Sequence, residues 1–451
     1  MSRILTILKK VVSLFIKYDR YDVGFSYESS SSFADTLMRH FYARLHQKER
    51  FEIRKLVVRQ YRGSPILFHL RRAIRKLKLG KIPIRIVFIA QEPRIWRVMD
   101  SLYRACKSDS LFKVYVVNSE YFWQFKEDCS TFLKQNNIEY LDGLDKDFRF
   151  DLLNPDIIVL GSPYDEYRPE QHSTANLLRF AELIYIPYGI DFSDGTRHLD
   201  IVIFGDVLQK NAWRIFTRSK KSVGNYIKHG GISSKRVVSL GLPVLDQYYS
   251  STSSGVLPEA VQLASAGKFK IIYSPHHSLT GWSTFLLHSE NIRQLVQENQ
   301  DCYLVCRPHP GLMEKLKNEN LMSQDAFRSM FVDDRCYLYE GDDYYGLFRW
   351  SDMLISDASS FLGEYAPSQN PIIYLHRDDG WELDESIRDD FFNSCYVARS
   401  KDEVTTFFEQ LKNGVDPKKS ERKRYQENIS EGIFTGGAGQ RIANYLREKL
   451  A

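Results

Sequence analysis

The chain has 451 residues, of which 43% are hydrophobic and 26% are charged, and its formal net charge at pH 7 is +5. This length indicates two domains, and the composition is that of an ordinary globular protein with a core in each. The small positive charge gives no indication of nucleic-acid binding and suits anionic substrates or an anionic membrane surface. The six cysteines form no CxxC pair, so we predict free thiols in a reducing cytoplasm, no metal site and no cofactor.

Residues 1–80 are predicted to form a helical extension in front of the two domains. From Arg3 to Lys17, apolar residues share one helical face, and the stretch contains four basic residues and no acidic one. It is too short and too interrupted by lysines to span a bilayer, and it lacks a signal-peptide cleavage site. Two interpretations remain open: the helix lies on the cytoplasmic face of the inner membrane, or it packs on the protein's own core.

From Ile84 onward, short apolar runs rich in β-branched residues alternate with helical stretches. Such an alternation predicts a parallel sheet with helices on both faces. The strands predicted in the first half are Ile84–Ala90, Phe112–Val117, a short strand near Ile138, Asp156–Leu160, Leu183–Pro187 and Ile201–Phe204. The helices predicted between them cover about residues 95–107 and 119–135.

The same pattern restarts after a strand at Val237–Leu240 and a loop rich in serine and glycine at 250–255. The strands predicted there are Lys270–Tyr273, Cys302–Cys306, Val332–Tyr339, Met353–Ile355 and Pro371–Leu375, and the helices are 284–298, 402–413 and 438–449. We therefore predict an α/β fold with two Rossmann-like domains, at 81–245 and 246–451, that face each other across a cleft.

Polar segments follow three strands of the second half at the point where each strand ends. They are Ser274–Ser278, Arg307–Gly311 and Ser356–Ser360. Ligands of parallel sheets bind beyond the carboxyl ends of the strands, so all three segments are placed where a ligand is expected. Each segment alone has an ordinary interpretation, as a rigid loop, a surface pair of histidines or a helix cap. The three together indicate a binding site.

The residue types in these segments suit a pyrophosphate. Arg307 offers a planar fork of charged donors, and His309 can donate a hydrogen bond to a phosphate oxygen or protonate it. Ser359 and Ser360 stand where a helix is expected to begin, so their hydroxyls and the free backbone N–H groups form an anion site. Asp357 either caps that helix or orients a histidine.

The order of these motifs resembles one known family. The chain resembles the CDP-glycerol glycerophosphotransferases, the family of teichoic-acid polymerases and primases, in Tyr-Ser-Pro at 273–275, Arg-Pro-His-Pro at 307–310, Ser-Asp-x-Ser-Ser at 356–360 and Asn-Pro-Ile-Ile-Tyr at 370–374. The resemblance extends to Gly241–Asp246 and Gly436–Arg441 and covers about residues 200–441. It is looser over 82–200, where residues 91–96 resemble Gram-negative surface-polysaccharide members, and it does not cover the first 80 residues.

This resemblance implies a GT-B fold and a metal-free transfer of glycerol phosphate. The donor would be CDP-glycerol, and the acceptor a glycan or lipid-linked glycan at the inner face of the membrane. By position, Arg307, Ser359 and Ser360 would bind the donor pyrophosphate. His309 would be a catalytic residue that acts on the same group, with Asp357 in support. The predicted donor site also includes four neighbouring polar residues, Ser274, His276, His277 and Glu364.

The first domain departs from the family pattern. The resemblance would place a Trp-His-Gly-Thr run there, whose histidine looks like the general base, but the corresponding segment reads Ile186-Pro-Tyr-Gly-Ile-Asp191. Asp191 becomes the candidate base if burial raises its pKa, and Tyr188 and Gln91 become candidate acceptor contacts. The alternative is that this segment is only a tight turn. Three functions therefore remain open: phospho-alditol transfer, glycosyl transfer from a nucleotide sugar, and non-catalytic binding of a glycan or partner.

Overall fold

The computed structural model describes residues 83–120, 128–189, 204–250, 257–341, 344–357, 360–380, 385–430 and 436–450. They form two compact units: unit 1 comprises 83–188, 204–244 and 437–450, and unit 2 comprises 189 and the described residues from 245 to 436. The predicted extension at 1–80, with its candidate membrane helix, lies outside the described residues. Within the described ranges, no helix is both long enough and apolar enough to cross a bilayer.

Unit 1 is built on one seven-stranded sheet. Its strands are β1 Ile84–Ala90, β2 Phe112–Asn118, β3 Leu141–Asp142, β4 Ile157–Leu160, β5 Glu182–Tyr185, β6 Arg214–Thr217 and β7 Val237–Ser239. Every pairing is parallel, in the order β3-β2-β1-β4-β5-β6-β7. Its helices are Pro93–Arg97, Asp100–Lys107, Cys129–Gln135, Phe150–Leu153, Thr174–Leu177, Val207–Asn211, Lys220–Lys228 and Ala438–Leu450, and Pro243–Tyr249 crosses from unit 1 into unit 2.

The centre of this sheet is apolar on both faces. All residues of β1 except Arg85 are buried, and all four residues of β4 are buried. Such uninterrupted burial is typical of central parallel strands that carry helices on both sides. Because β1, β4 and β5 are neighbours, the segments that follow Ala90, Leu160 and Tyr185 begin next to one another at the carboxyl edge of the sheet.

Unit 2 is built on a six-stranded sheet. Its strands are β8 Phe269–Ser274, β9 Cys302–Cys306, β10 Cys336–Leu338, β11 Met353–Ser356, β12 Ile372–Leu375 and β13 Tyr396–Ala398. All pairings are parallel, in the order β10-β9-β8-β11-β12-β13. Its helices are Glu259–Ala264, Phe285–Glu298, Leu312–Asn318, Gln324–Met330, Tyr345–Trp350, Ser360–Tyr365, Glu385–Ser394, Lys401–Lys412 and Lys419–Ser430.

Two parallel sheets with alternating helices confirm the predicted α/β class, and β1 and β9 have the predicted boundaries. Other predictions need correction. Phe204, the described part of the predicted strand at 201–204, is helical, and the strand that follows β5 is β6. The helix predicted from residue 119 begins at Cys129, because Asp128 caps its first turn by accepting from the N–H of Thr131 at 2.7 Å.

The last helix, Ala438–Leu450, belongs to unit 1, whereas the predicted second domain includes all of 246–451. Its buried face contains Ile442 and Leu446, and it packs against helix Asp100–Lys107. Gly439 permits this approach, because a Cβ there would lie 2.4 Å from the backbone carbon of Ser101. The contact is invisible in the sequence, since more than 300 positions separate the two helices.

Candidate functional site

The two histidine-containing segments lie side by side at the carboxyl edge of the unit 2 sheet. Strand β8 is paired with β9 on one side and with β11 on the other. Beyond the end of β9, the N–H of Arg307 donates to the carbonyl of Tyr273 at 2.8 Å. Two residues further on, the N–H of His309 donates to the carbonyl of Pro275 at 2.9 Å. The backbone pairing therefore continues past the strands and brings the side chains that follow them together.

Three histidine rings form a cluster at this edge. The ring centroids of His277 and His309 are 3.9 Å apart in a stacked arrangement. The ring of His276 lies 4.4 Å from His277 and 5.2 Å from His309. The indole ring of Trp282 flanks His276 at 5.5 Å. The structure thus joins a residue from the second predicted segment to two residues from the first.

Backbone N–H groups determine where two of these rings carry their hydrogen. The N–H of Ser278 donates to Nδ1 of His276 at 3.1 Å, and the N–H of Gly311 donates to Nδ1 of His309 at 3.1 Å. A ring nitrogen that accepts a hydrogen bond cannot carry a hydrogen, so the neutral rings are protonated at Nε2. His276 and His309 therefore each present one Nε2–H donor. Nδ1 of His277 is buried without a hydrogen-bond partner among the described residues.

Two of the three rings, His276 and His277, are shifted toward their neutral forms. Burial, and then the neighbouring His277, lower the pKa of His276 to about 3. Burial, and then Lys315, lower the pKa of His277. A negatively charged ligand would oppose these effects and favour the protonated rings.

The same three rings satisfy the spacing of a metal site, since one nitrogen of each lies within 4.8 Å of the others. A histidine that binds a metal through Nε2 carries its hydrogen on Nδ1 and donates it to a neighbouring acceptor. In His276 and His309, Nδ1 instead accepts from a backbone N–H. This arrangement favours an anion that accepts from the rings over a cation that needs their lone pairs.

Asp357 holds the first segment in place. Its Oδ1 accepts from the N–H of His276 at 2.7 Å, and its Oδ2 accepts from the N–H and the hydroxyl of Thr284 at 2.8 and 3.2 Å. Burial raises the pKa of Asp357 to about 7, although the hydrogen bonds from Thr284 and His276 oppose this rise. The carboxylate therefore orients a histidine through its backbone, which is one of the two roles that the sequence left open.

Arg307 rests on aromatic rings that the sequence analysis did not identify. Its guanidinium carbon lies 4.7 Å from the ring centroid of Tyr344 and 5.2 Å from that of Phe361. The hydroxyls of Tyr344 and Tyr345 both donate to Oε2 of Glu364 at 2.6 Å. Glu364 is only 3% exposed, so its carboxylate supports the tyrosines from inside the fold. The adjacent tyrosines at 344 and 345 are visible in the sequence, but nothing in their spacing indicates that one of them supports Arg307.

The remaining predicted donor residues are three serines. Ser274 is buried, and its carbonyl accepts from the hydroxyl of Ser356 at 2.6 Å, so it links the ends of β8 and β11. Ser359 lies outside the described residues. Ser360 begins helix Ser360–Tyr365, at the place predicted for a helix start.

The carboxyl edge of the unit 1 sheet holds the predicted acceptor residues. Gln91 follows β1, is buried, and donates from Nε2 to the carbonyl of Tyr167 at 3.3 Å. Tyr188 follows β5 and is 40% exposed, and its hydroxyl lies 3.3 Å from the hydroxyl of Tyr164. Asp191, the candidate base, lies outside the described residues.

Comparisons with known proteins indicate the family of this chain. Residues 209–446 match the family described as CDP-Glycerol:Poly(glycerophosphate) glycerophosphotransferase. The chain is similar to the teichoic acid ribitol-phosphate polymerase TarL of Staphylococcus aureus, with 22% identity over 212 residues. This match covers 45% of the chain and 35% of TarL, so the chain matches about a third of that relative's length.

Two solved structures indicate the fold class. The wall teichoic acid polymerase TagF is 12% identical, with a TM-score of 0.52 over 85% of this chain and 94% of that chain. S. aureus MnaA with UDP is 15% identical, with a TM-score of 0.55 over 81% of this chain and 97% of that chain. At such identities the likeness concerns the fold alone, which is α/β of the GT-B type, as predicted. Since the family match spans more than half of its residues, the chain belongs to the CDP-glycerol:poly(glycerophosphate) glycerophosphotransferase family.

Proposed function

We propose that this chain transfers glycerol phosphate, or a related phospho-alditol, from a CDP-linked donor to a hydroxyl of a glycan or lipid-linked glycan during cell-surface polymer synthesis. The observation that carries this proposal is the pair of Nε2–H donors on His276 and His309, in segments that also supply Arg307. Membership of the family supports the donor class, as does the TagF structure soaked with CDPG. The alditol phosphate polymer named for TarL supports the transferred group.

In the proposed reaction, the acceptor oxygen attacks the β-phosphorus of the donor. A new P–O ester bond forms, the bond from this phosphorus to the oxygen that bridges the two phosphates breaks, and CMP leaves with the bonding electrons. The proton of the acceptor hydroxyl passes to a base, for which Asp191 stays the candidate. Arg307 and the Nε2–H groups of His276 and His309 would stabilise the negative charge that develops on the phosphate oxygens.

Two buried carboxylates act as positioning residues in this proposal. Asp357 fixes the backbone of His276, and Glu364 fixes the tyrosine whose ring lies under Arg307. Neither needs to touch the donor, because Asp357 positions a proposed donor contact and Glu364 positions the tyrosine that supports another. Donor phosphates bind best to groups that are already oriented, since little reorganisation is then needed during the reaction.

We place the chain at the cytoplasmic face of the inner membrane as a peripheral protein, on the basis of the amphipathic basic stretch from Arg3 to Lys17. Flotation with vesicles that contain anionic lipid tests this placement. The full chain should float with the vesicles, and a chain without residues 1–18 should float less. Equal flotation of the two chains would remove the case for this stretch as a membrane contact.

Donor binding and product analysis together test the proposed reaction. The full chain should bind CDP-glycerol or CDP-ribitol in calorimetry more tightly than UDP- or CMP-sugars. With a glycan acceptor it should release CMP and form a phosphodiester that ³¹P NMR detects. A new glycosidic bond instead of a phosphodiester would make the chain a glycosyltransferase. Nucleotide binding without any turnover, across a panel of acceptors, would leave a non-catalytic glycan-binding role.

A further inference from the structure

Three tyrosines lie together at the carboxyl edge of the unit 1 sheet, and we call them the tyrosine cluster: Tyr164, Tyr167 and Tyr188. The ring of Tyr164 lies 5.5 Å from that of Tyr167 and 6.1 Å from that of Tyr188. Tyr167 is 43% exposed and Tyr188 is 40% exposed. These are large aromatic surfaces to leave in water at the edge of a parallel sheet where ligands are expected to bind.

The framework holds this cluster in a defined arrangement. Tyr164 follows β4 and Tyr188 follows β5, and these two strands are paired neighbours. Their hydroxyls lie 3.3 Å apart, so one donates to the other. On the far side, the amide of Gln91 donates to the carbonyl of Tyr167. Gln91 is therefore a positioning residue for the cluster, and the tyrosine rings are the surface that a ligand would meet.

Tyrosine rings of this kind match the chemistry of a sugar. The face of a pyranose ring carries C–H groups that pack against an aromatic ring, and its rim carries hydroxyls that pair with phenolic hydroxyls. Tyrosine combines an apolar body with a polar tip. Because its side chain has only two rotatable torsions, little conformational entropy is lost when it is ordered. The mutual contact of the Tyr164 and Tyr188 hydroxyls uses one donor and one acceptor site, and an alkyl chain could not pair with the donor and acceptor sites that remain.

The charges around the cluster argue for a neutral ligand. Burial, and then Tyr188, raise the pKa of Tyr164, and the nearby carboxylates of Asp206 and Glu166 raise it further. The Tyr164 hydroxyl is therefore a neutral donor at pH 7. Arg168, the neighbouring cation, is fully buried and paired with Asp165. A chain of phosphodiesters would meet carboxylates here, which disfavours it.

We propose that the tyrosine cluster binds a sugar ring of an uncharged glycan and so selects a neutral acceptor. This inference rests on the proposed function and specifies its acceptor. It implies that the chain attaches a phospho-alditol to a neutral glycan rather than extending a polymer that is already anionic. The reaction that supplies its substrate must therefore be a glycosyl transfer that builds an uncharged oligosaccharide.

Variants of Tyr188 test this proposal in the full-length protein. Tyr188→Leu removes the ring, Tyr188→Phe removes only the hydroxyl, and Tyr140→Leu is the matched control, since Tyr140 immediately precedes β3 at the opposite edge of the sheet. Saturation-transfer NMR with a neutral oligosaccharide reports binding without requiring turnover. Tyr188→Leu should weaken binding about tenfold, Tyr188→Phe about twofold to threefold, and the control should not change it.

Kinetics separate this inference from the proposed function. Tyr188→Leu should raise the acceptor KM by a larger factor than the donor KM, whereas the control Tyr140→Leu should change neither. Equal glycan binding by the wild type and Tyr188→Leu would overturn the inference, even if donor transfer proceeds. Tighter binding of oligomeric glycerol phosphate than of the neutral oligosaccharide would also overturn it. Failure of the wild type to consume any CDP-alditol would instead count against the proposed function, while the NMR result still decides the role of the cluster.

Discussion

The carboxyl edges of the two sheets differ in chemistry, although both sheets are parallel and similarly ordered. The edge of unit 2 carries Arg307 and three histidines, two of which are oriented by backbone hydrogen bonds. The edge of unit 1 carries tyrosines near carboxylates. On our proposals, one edge therefore binds an anion and the other binds a neutral, hydroxyl-rich ligand. The common fold supplies the place for a ligand, and the short segments after the strands determine which ligand it is.

The largest effect is expected from Arg307→Ala. This substitution removes a permanent positive charge from the unit 2 edge, so turnover with a CDP-alditol should fall at least about 100-fold if the charge stabilises the transition state. Arg307→Lys should recover only part of this loss, because lysine lacks the planar donor fork that rests on the aromatic rings. Steady-state kinetics with the donor varied would measure both variants.

Arg424→Ala is the matched control for the loss of an arginine. Arg424 is 67% exposed on helix Lys419–Ser430 of the same unit, where it pairs with Glu421, and exposed pairs contribute little to stability. The control should keep its turnover and its melting temperature. Unchanged turnover in Arg307→Ala would contradict the proposed difference between the two edges.

A smaller loss of donor binding is expected from substitutions of His309. Two variants distinguish the role of its Nε2 from that of its Nδ1. The amide of glutamine reaches about as far as Nε2, whereas the amide of asparagine replaces Nδ1. Because the proposed donor is Nε2–H, His309→Asn should weaken donor binding about 10- to 100-fold and His309→Gln should retain more of it. Calorimetry with CDP-glycerol measures the difference. Better binding by the asparagine variant would show that the assigned hydrogen position is wrong.

Tyr344 should have a more modest effect, since it acts through Arg307. Tyr344→Leu removes the ring under the guanidinium and should raise the donor KM about fivefold to tenfold. Tyr344→Phe keeps the ring, and Glu364 still accepts the hydrogen bond from the hydroxyl of Tyr345. The donor KM should therefore change about twofold or less. A similar loss in both variants would mean that the hydroxyl matters more than the ring.

The smallest expected effect is a pH dependence of donor binding. In the free protein the pKa of His276 is about 3 and that of His277 is lowered, with His309 and Lys315 as neighbours, so both rings favour their neutral forms. Donor phosphates raise these pKa values, so the complex binds more protons than the free protein. Linkage then makes donor binding tighter as the pH falls.

Donor affinity should therefore be higher at pH 6 than at pH 8. The pyrophosphate of CDP-glycerol carries its full charge throughout this range. A proton that is taken up on binding is therefore bound by the protein and not by the donor. Calorimetry in two buffers with different ionisation enthalpies counts these protons. Proton release on binding, or weaker binding at the lower pH, would contradict the neutral forms assigned to His276 and His277.

Much of the unit 2 edge was predictable, because its signals are local. The apolar run Cys302–Cys306 is a strand with the predicted boundaries, and Arg307–Gly311 follows it directly. Parallel strands place such segments at one edge, so the meeting of His276, His277 and His309 follows from the alternation of strands and helices.

Features that depend on contacts through space were not predictable. Strand β6 is only four residues long and β13 only three, so neither has a detectable period. The aromatic support of Arg307 joins residues from three separate segments, and the last helix packs on one far upstream in sequence. The hydrogen positions on the histidines depend on backbone N–H groups of Ser278 and Gly311, which no residue pattern encodes.

A crystal structure with CDP-glycerol would test the central claim most directly. Phosphate oxygens of the donor should lie about 2.7–3.2 Å from Nε2 of both His276 and His309, with the guanidinium of Arg307 on the same group. Donor phosphates bound away from these rings, or a metal ion held between them, would contradict the assignment of the unit 2 edge as the donor site.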